Sequence, residues 1–403
     1  MGFPDLRTPK TELDQRNRQL QQYLRQNHID GAVVVQKADL FYFTGTIQDA
    51  HLYIPADSSP VLLVHKNIFR AREESKLEII EPLDGLKRLP EQIMRFVKTT
   101  PRRLGLEFDV LPVRNYLTFQ RLFEKVEWVD VSDAIRRIRA VKSPFEIDLM
   151  SKAAKLSDRL AASMPALLQE GMTEIELAGQ IEAVARKLGH QGVVRMRLWG
   201  HEMFYGHLMA GPSAAVGSYL ASPTGGTGIG PAVSQGPSRR PIQRHEPILL
   251  DYVFVFQGYL SDHTRIFTIG DLPDDLIIAH EAMEKVQAEI KTAAKPGIKA
   301  GDLYVMAMEM TNEMGYVDYF MGHDHQRVRF IGHGLGTELD EYPFLAWGQE
   351  MVLEKGMTIA LEPKLIFPGK GVVGVENTHV VEENGLRQLG QYPDAITTVA
   401  MKP

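Results

Sequence analysis

The sequence predicts two domains, an α/β domain followed by an α+β domain with an internal pseudo-two-fold repeat. A chain of 403 residues is too long for one ordinary hydrophobic core, so two domains are the default. In the first part, apolar strand-like runs alternate with helical patterns. In the second part, a helix pair followed by a β-rich block occurs twice. A basic, apolar link separates the two parts, and we place the domains at residues 1–138 and 145–403.

The composition, with 44% hydrophobic and 24% charged residues, is that of a soluble globular protein. The net charge of −6 gives no support to nucleic-acid binding. No apolar run approaches the roughly 18 residues of a membrane helix, and the polar N-terminus lacks a signal-peptide core. The chain has no cysteine, which excludes thiolate metal sites and cysteine nucleophiles. We therefore expect a cytoplasmic protein that binds neither nucleic acid nor membrane.

Apolar periodicity predicts the elements of the first domain. A helical pattern over Leu13–Asn27 precedes the apolar run Ala32–Val35, which predicts a buried strand. The following patterns predict a strand at Val61–Val64, a helix at Leu89–Lys98, a strand at Leu104–Glu107 and a helix at Pro112–Phe123. The sequence of this domain contains no glycine-rich phosphate loop, so we assign no chemistry to it.

Helix-start signals open the second domain. Ser143 is a good N-cap, Pro144 suits the first turn, and Glu146 stands three residues after the cap, as in a capping box. This helix is predicted to run to Gln169. Further helices are predicted from Thr173 to near Leu188, over Asp274–Ala294 and over Lys299–Met314.

A long segment of low periodicity, Met209–Arg240, is rich in Gly, Pro and Ser. Its run Gly225–Gly230 resembles a phosphate loop, but the Lys-Ser/Thr of a P-loop is missing and no strong strand precedes it. We therefore predict an ordered active-site loop rather than a nucleotide site.

The chemistry centres on a predicted β-hairpin, Asp251–Phe267, interrupted at Gln257-Gly258. If the turn centres on that pair, Asp251 faces Thr264, and Asp262 points from the same face as Thr264. The two carboxylates are then close enough to share one or two cations. A pair of aspartates on a solvated face explains this stretch equally well.

The second β-rich block carries three more polar residues in apolar surroundings. His333 stands among glycines that let the backbone approach closely, and Glu362 and Glu376 are each predicted inside an apolar strand. Each of these residues alone has an ordinary structural explanation. Together with the hairpin aspartates, four carboxylates would repel one another strongly without cations.

In order and spacing, Asp251, Asp262, His333, Glu362 and Glu376 resemble the five-ligand signature of the pita-bread metallopeptidases, which include prolidase, aminopeptidase P and methionine aminopeptidase. The successive separations of 11, 71, 29 and 14 residues are similar to those of microbial prolidases. The first domain, with Tyr42–Gly45, resembles the creatinase/prolidase N-terminal domain.

The resemblance implies two divalent ions, with Mn²⁺, Co²⁺, Zn²⁺ and Fe²⁺ all suited to the donor set. Asp251 would bind one ion and His333 the other, Asp262 and Glu376 would bridge them, and Glu362 would ligate and shuttle a proton. A hydroxide shared by the ions would attack the substrate carbonyl. Thr264 and Arg265 would orient the ligands through hydrogen bonds without binding the ions themselves.

Several positions depart from the family pattern. No histidine lies between His207 and His245, where the peptidases usually carry one in the loop before the hairpin. A second usual histidine is replaced by Asp340. The usual Glu-Pro-Gly ends in Lys364, and the usual arginine before the last ligand is Gly374.

The resemblance implies an Xaa-Pro dipeptidase or aminopeptidase that removes N-terminal residues from short peptides. Because an aspartate can serve as a base, Asp340 keeps open a second function, that of a lyase or small-molecule C–N hydrolase. We predict that Asp340 faces the pocket and contributes to catalysis; the alternative is that it turns outward and caps the turn at residues 341–343. A binding protein with an inactive catalytic domain is disfavoured, since all five ligands are present.

Relatives with this N-terminal domain are usually dimers, and the resemblance therefore implies a homodimer. The segment Gly45–His51 would be the loop that reaches the partner's active site, unless it is an ordinary surface loop.

Overall fold

The computed structural model describes residues 7–97 and 99–400, which form two compact units. One unit contains the described residues up to Arg139 together with Arg197–Trp199, and the other contains Ala140–Met196 and the described residues from Gly200 onward. Within the described ranges, every helix is too short or too polar to span a lipid bilayer.

The first unit is an α/β structure around one mixed sheet of six strands. Its strands are β1 (Gly31–Val34), β2 (Ala50–Pro55), β3 (Val61–Val64), β4 (Ile79–Pro82), β5 (Arg103–Leu106) and β6 (Glu127–Asp130), in the order β4-β3-β2-β1-β5-β6. Its helices are α1 (Lys10–Gln26), α2 (Lys37–Thr44), α3 (Ile68–Glu74), α4 (Leu89–Met94), α5 (Val113–Leu122) and α6 (Ser132–Ala140), with a 3₁₀ turn at Leu86–Arg88.

Both faces of this sheet are buried, which explains the continuous apolar run of β1. Ala32 and Val34 join one apolar cluster with Leu20 of α1, whereas Val33 joins another with Phe119 of α5. Successive side chains of a strand point to opposite faces, so a strand covered on both sides needs no polar alternation.

Two predictions for the first unit need correction. The helix predicted at Leu89–Lys98 ends at Met94, because the amides of Arg95 and Phe96 bond to the carbonyls three residues earlier and tighten the last turn; Lys98 lies outside the described residues. The loop predicted at Gly45–His51 is shorter, because Ala50 and His51 already pair with β3 as the start of β2.

The second unit contains two helix pairs that cover two sheets. Its helices are α7 (Pro144–Ala161), α8 (Met164–Leu167), α9 (Glu174–Lys187), α10 (Asp274–Ala293) and α11 (Ala300–Glu313), with 3₁₀ turns at Gly211–Ser213 and Asp324–Gln326. The predicted capping box of Ser143 and Glu146 is present, and Thr173 and Glu176 form a second one. The first helix ends at Ala161 rather than Gln169 because Pro165 lacks the amide needed to continue it.

The strands of the second unit form a four-stranded sheet, a five-stranded sheet and a separate strand pair. They are β7 (Gly206–Ala210), β8 (Ile248–Phe256), β9 (Tyr259–Ile269), β10 (Phe330–Gly334), β11 (Glu341–Ala346), β12 (Thr358–Leu361), β13 (Lys364–Phe367), β14 (Gly371–Gly374), β15 (Asn377–Glu382), β16 (Gly385–Gln388) and β17 (Thr397–Val399). The sheet orders are β17-β9-β8-β7 and β11-β10-β12-β15-β16, and β13 pairs with β14.

The two larger sheets meet where Thr264 of β9 pairs with Glu376 through two backbone hydrogen bonds. Helices α7 and α9 pack on the first sheet, whereas α10 and α11 pack on the second sheet and the β13–β14 pair. The predicted α/β domain followed by an α+β domain is therefore confirmed, and each half of the second unit has its own helix pair.

Candidate metal centre

The hairpin β8–β9 has the predicted register. Gln257 and Gly258 form its turn with φ of 49° and 84°, which matches the type I′ turn favoured between twisted strands. Asp251 lies opposite Thr264, as predicted, and Asp262 is buried farther along β9. Both aspartates line one cavity of about 60 Å³.

The structure brings all five predicted ligands to this cavity. His333 lies within β10, but Glu362 follows β12 and Glu376 stands between β14 and β15. The prediction that both glutamates lie inside strands is wrong, because the chain changes sheets at these two positions and frees their side chains to turn inward. The Nε2 atom of His333 lies 3.7 Å from Glu362 Oε1 and 3.9 Å from Asp262 Oδ2.

Three of these residues, Asp262, His333 and Glu376, offer ligand atoms that all lie within 4.8 Å of one another. All three are buried. Among the described residues, nothing forms a hydrogen bond with the buried Asp262 Oδ1, an uncommon situation for a carboxylate oxygen. An oxygen-rich set with one imidazole suits a divalent transition-metal ion, so these residues fit such an ion.

The ring of His333 is oriented for ligation. Its Nδ1 lies 3.0 Å from the carbonyl oxygen of Gly334, and because a carbonyl only accepts, Nδ1–H is the donor. The lone pair of Nε2 therefore points towards the carboxylates. A backbone carbonyl that fixes the other ring nitrogen is typical of metal-binding histidines.

Crowded negative charge is evident in the pKa values around the cavity. Burial, followed by the charges of Glu376 and Asp251, raises the pKa of Asp262 well above its usual range. Burial raises the pKa of Glu362 to about 7, against the opposing effect of Lys364. Burial lowers the pKa of His333, but the charges of Asp340 and Glu362 outweigh it and leave that pKa raised. A cation here would favour the ionised carboxylates.

Lys364 enters the carboxylate cluster, which the sequence analysis did not anticipate. Its ammonium nitrogen lies 2.8 Å from Glu362 Oε2, 2.8 Å from Glu376 Oε2 and 3.1 Å from Asp251 Oδ2. The side chain is 1% exposed. The sequence signals for this position are the departure from Glu-Pro-Gly and a lysine between apolar residues, two positions after a predicted ligand.

The two neighbouring departures from the family pattern face each other. Lys364 of β13 pairs with Gly374 of β14. A Cβ atom at residue 374 would come within 2.7 Å of Lys364 Cα and 3.1 Å of Lys364 Cγ. The glycine therefore leaves the space that the lysine stem occupies.

Thr264 and Arg265 support the cluster as the resemblance implied. The Thr264 hydroxyl donates to Glu376 Oε2 at 2.8 Å. The buried Arg265 guanidinium donates to the backbone oxygens of Thr264 and Glu376 and to Asn377 Oδ1. These bonds hold the Glu376 segment against β9, so the position of Glu376 is fixed from both its side chain and its backbone.

His207 is a second residue of the site that the sequence analysis missed. It lies on β7 opposite Asp251, is buried and lines the cavity. Its Nε2 is 3.2 Å from Gln235 Oε1, and burial lowers its pKa. The resemblance implies a histidine in the loop after residue 207, whereas His207 itself stands in strand β7 before that loop.

Asp340 lies on the cavity wall, with its Oδ1 3.5 Å from His333 Nδ1. Its φ is 62°, a left-handed conformation that aspartate tolerates better than most residues. Residues 341–343 lie in strand β11 rather than in a turn that Asp340 could cap. The geometry thus agrees with a cavity-facing Asp340. Residues 220–222 of the predicted active-site loop, Met209–Arg240, line this cavity, whereas its run Gly225–Gly230 does not.

An α/β unit followed by helix pairs over two sheets, with buried carboxylates and the predicted ligand His333 around one cavity, is typical of a class of metal-dependent hydrolases. The chain matches metallopeptidase family M24 over residues 148–383 and the creatinase/prolidase N-terminal domain over residues 16–141. It belongs to metallopeptidase family M24.

Individual relatives agree over nearly the whole chain. The chain is 27% identical over 380 residues to the Xaa-Pro dipeptidase of Pyrococcus furiosus, covering 94% of this chain and 98% of that protein. The same fold occurs in an Xaa-Pro dipeptidase from Bacillus anthracis, with a TM-score of 0.81, 22% identity and coverage of 96% and 99% of the two chains. An X-Pro aminopeptidase from Thermotoga maritima gives a TM-score of 0.79 at 22% identity, with coverage of 95% and 99%.

The predicted family, its pita-bread fold class and the predicted metallo-exopeptidase class are confirmed by these matches. Membership of the family implies divalent metal. The individual ligand roles, the number and identity of the ions, the catalytic role of Asp340 and the cytoplasmic location stay predictions.

Proposed function

We propose that this protein is a divalent-metal-dependent exopeptidase that removes the N-terminal residue from short Xaa-Pro peptides. The observation that supports the proposal is the meeting of Asp262, His333 and Glu376 at one cavity, where Oδ1 of Asp262 has no hydrogen-bond partner in the part of the chain that the structure describes. The names of the relatives supply the substrate class.

Asp262, His333 and Glu376 would hold the ion. When bound, a divalent ion in such a site polarises a substrate carbonyl and lowers the pKa of a water. Thr264 orients Glu376 through its hydroxyl, and Gly334 fixes the ring of His333 through its carbonyl. The donor set suits Mn²⁺, Co²⁺, Zn²⁺ or Fe²⁺.

The remaining polar residues would handle protons and substrate. Glu362, whose pKa burial raises to about 7, would accept a proton at one step and donate it at another near neutral pH. Asp340 would accept hydrogen bonds from the positively charged amine of the substrate, since an ionised carboxylate cannot donate to an oxyanion.

Two observations favour a second candidate function, a small-molecule C–N hydrolase or lyase on the same scaffold. The cavity of about 60 Å³ is small beside the roughly 300–1,000 Å³ of usual ligand sites. In addition, a fixed ammonium stands among the carboxylates, so the electrostatics differ from those of a site neutralised by metal ions alone.

We also propose that the protein is a homodimer in the cytoplasm, as the resemblance implies. Light scattering at micromolar concentration tests the assembly, and a monomer there would contradict the dimer.

The activity test uses chelator-treated protein reloaded separately with Mn²⁺, Co²⁺, Zn²⁺ or Fe²⁺. Xaa-Pro dipeptides and longer Xaa-Pro peptides are then compared with matched peptides that lack proline. We expect metal-dependent cleavage that His333→Ala abolishes and His325→Ala, at an exposed position, preserves. Metal binding without cleavage of any Xaa-Pro peptide would overturn the peptidase and favour the second candidate.

A further inference from the structure

We propose that Lys364 takes the place of one of the two cations that the family pattern implies, so that each chain binds a single divalent ion. The proposal rests on the proposed metal dependence of the site but not on the proposed substrate. Lys364 and the metal ion would together neutralise four carboxylates that line the cavity, Asp251, Asp262, Glu362 and Glu376. The fifth carboxylate of the lining, Asp340, lies 3.5 Å from His333 Nδ1.

The ammonium of Lys364 is fully engaged as a cation. A lysine has three N–H donors, and the three nearest carboxylates lie at 2.8, 2.8 and 3.1 Å. Each carboxylate contributes one oxygen: Oε2 of Glu362, Oε2 of Glu376 and Oδ2 of Asp251. The nitrogen therefore stands at the meeting point of three ligands, where a metal ion would otherwise stand.

A second metal ion cannot share these three oxygens with the ammonium. Ligand oxygens lie about 2.0–2.2 Å from a zinc-like ion, so an ion bound to the same three oxygens would have to occupy nearly the position of the nitrogen. Two cations at that separation repel strongly in a buried site. Oδ1 of Asp262, in contrast, has no hydrogen-bond partner among the described residues, and Nε2 of His333 faces the same space.

The position of the Lys364 side chain is fixed by its burial and by the pairing of its backbone. Its side chain is 1% exposed, and its backbone pairs with Gly374 in the β13–β14 register. The main-chain oxygen of Lys364 also accepts a hydrogen bond from the amide of Met321 at 3.0 Å. With its backbone held on both sides and its stem in the space above Gly374, the ammonium has little freedom to leave the carboxylates.

The site would then contain two kinds of cation: a metal ion that can be exchanged and the Lys364 ammonium, which is part of the chain. A chelator can remove the metal ion but not Lys364, so part of the negative charge stays neutralised in the metal-free protein. Because its three donors are engaged, the ammonium acts as a fixed charge that holds Asp251, Glu362 and Glu376 together.

The test is the metal content of the wild-type protein and of Lys364→Gly, which restores the usual residue of the family. Both are stripped with chelator, saturated with Mn²⁺, freed of excess ion and analysed by mass spectrometry of the metal and by electron paramagnetic resonance. We expect one magnetically isolated Mn²⁺ per wild-type chain and two spin-coupled Mn²⁺ ions per Lys364→Gly chain. Lys370→Gly, which removes an exposed lysine, is the matched control and should bind one ion.

Two coupled ions, or none, in the wild-type protein would overturn the proposal, and so would a single ion in Lys364→Gly. If that variant does not fold, the wild-type spectrum decides: isolated Mn²⁺ supports the proposal and coupled Mn²⁺ overturns it. No substrate enters the measurement. One ion without Xaa-Pro cleavage would refute the proposed function alone, whereas two ions with cleavage would refute this proposal alone.

Discussion

Lys364 and Gly374 stand directly opposite each other in paired strands, and the glycine provides the space in which the lysine stem lies. The resemblance implies a glycine at residue 364 and an arginine at residue 374, so the basic residue of this chain stands on the opposite strand of the pair. This placement brings the ammonium into the carboxylate cluster of the second unit.

Gly374→Ala should destabilise the protein strongly. The new Cβ would lie 2.4 Å from the Pro363 oxygen and 2.7 Å from Lys364 Cα, at a φ of 144°. Overpacking and backbone strain together should lower the free energy of unfolding by about 3 kcal/mol or more. The control is Gly369→Ala, at a φ of 76° with open space around the new Cβ, which should cost only about 1–2 kcal/mol. Urea unfolding measures both, and equal losses would contradict the steric argument.

Metal affinity should rise with pH. The pKa of Asp262 is raised by burial and by the neighbouring carboxylates, and the charges of Asp340 and Glu362 raise the pKa of His333 against the effect of burial. Both residues must lose protons to bind an ion, so Mn²⁺ should bind about tenfold or more tightly at pH 8 than at pH 6. Calorimetry in buffers of different ionisation enthalpy should detect proton release. Equal affinity at both pH values, with no protons released, would exclude these two residues as ligands.

The first unit should lose stability in acid through His51. Burial, followed by the charge of His65, lowers the pKa of His51 to about 4. Between about pH 6.5 and 4, His51 is therefore protonated in the unfolded chain but not in the folded chain. The free energy of unfolding falls as the pH falls through this window. The loss attributable to His51 is about 3 kcal/mol.

His51→Leu should reduce this acid sensitivity, because it removes the titrating ring and keeps an apolar side chain. The measurement is urea unfolding at pH 7 and at pH 4.5, with His325→Leu at an exposed position as control. An unchanged pH dependence in His51→Leu would show that other groups cause the acid loss.

Asp340 should restrict the action on Xaa-Pro peptides. Asp340→His introduces a donor beside the substrate position, and we expect Xaa-Pro cleavage to increase about tenfold or more, as a donor to the developing oxyanion would give. Asp340→Asn should shift the pH profile of activity downward, because it removes the charge that raises the pKa of His333. Asparagine also tolerates the φ of 62°. Activities and pH profiles equal to those of the parent in both variants would make Asp340 a structural residue.

The sequence was sufficient to predict the elements and residues whose local signals are strong. The period-two pattern and the Gln257-Gly258 turn were enough to predict the β8–β9 register, in which Asp251 lies opposite Thr264. Capping residues located the start of α7 at Ser143. The order and spacing of five residues far apart in the chain predicted one shared metal site, and the structure places all five around one cavity.

What could not be predicted depends on contacts between distant segments. The alternation of a continuous strand does not apply across Glu362 and Lys364, because a strand ends and another begins there. The direction of the Lys364 side chain therefore required the β13–β14 pairing with Gly374. His207 reaches the site only because β7 lies at the edge of the hairpin sheet, a neighbour relation that no local pattern encodes.

The most direct test is an anomalous-scattering map of crystals grown with Mn²⁺. We expect one peak per chain, bound by Asp262, His333 and Glu376, with the ammonium of Lys364 still among Asp251, Glu362 and Glu376. Two peaks about 3.5 Å apart with Lys364 displaced from the carboxylates, or no peak at this cavity, would contradict this expectation.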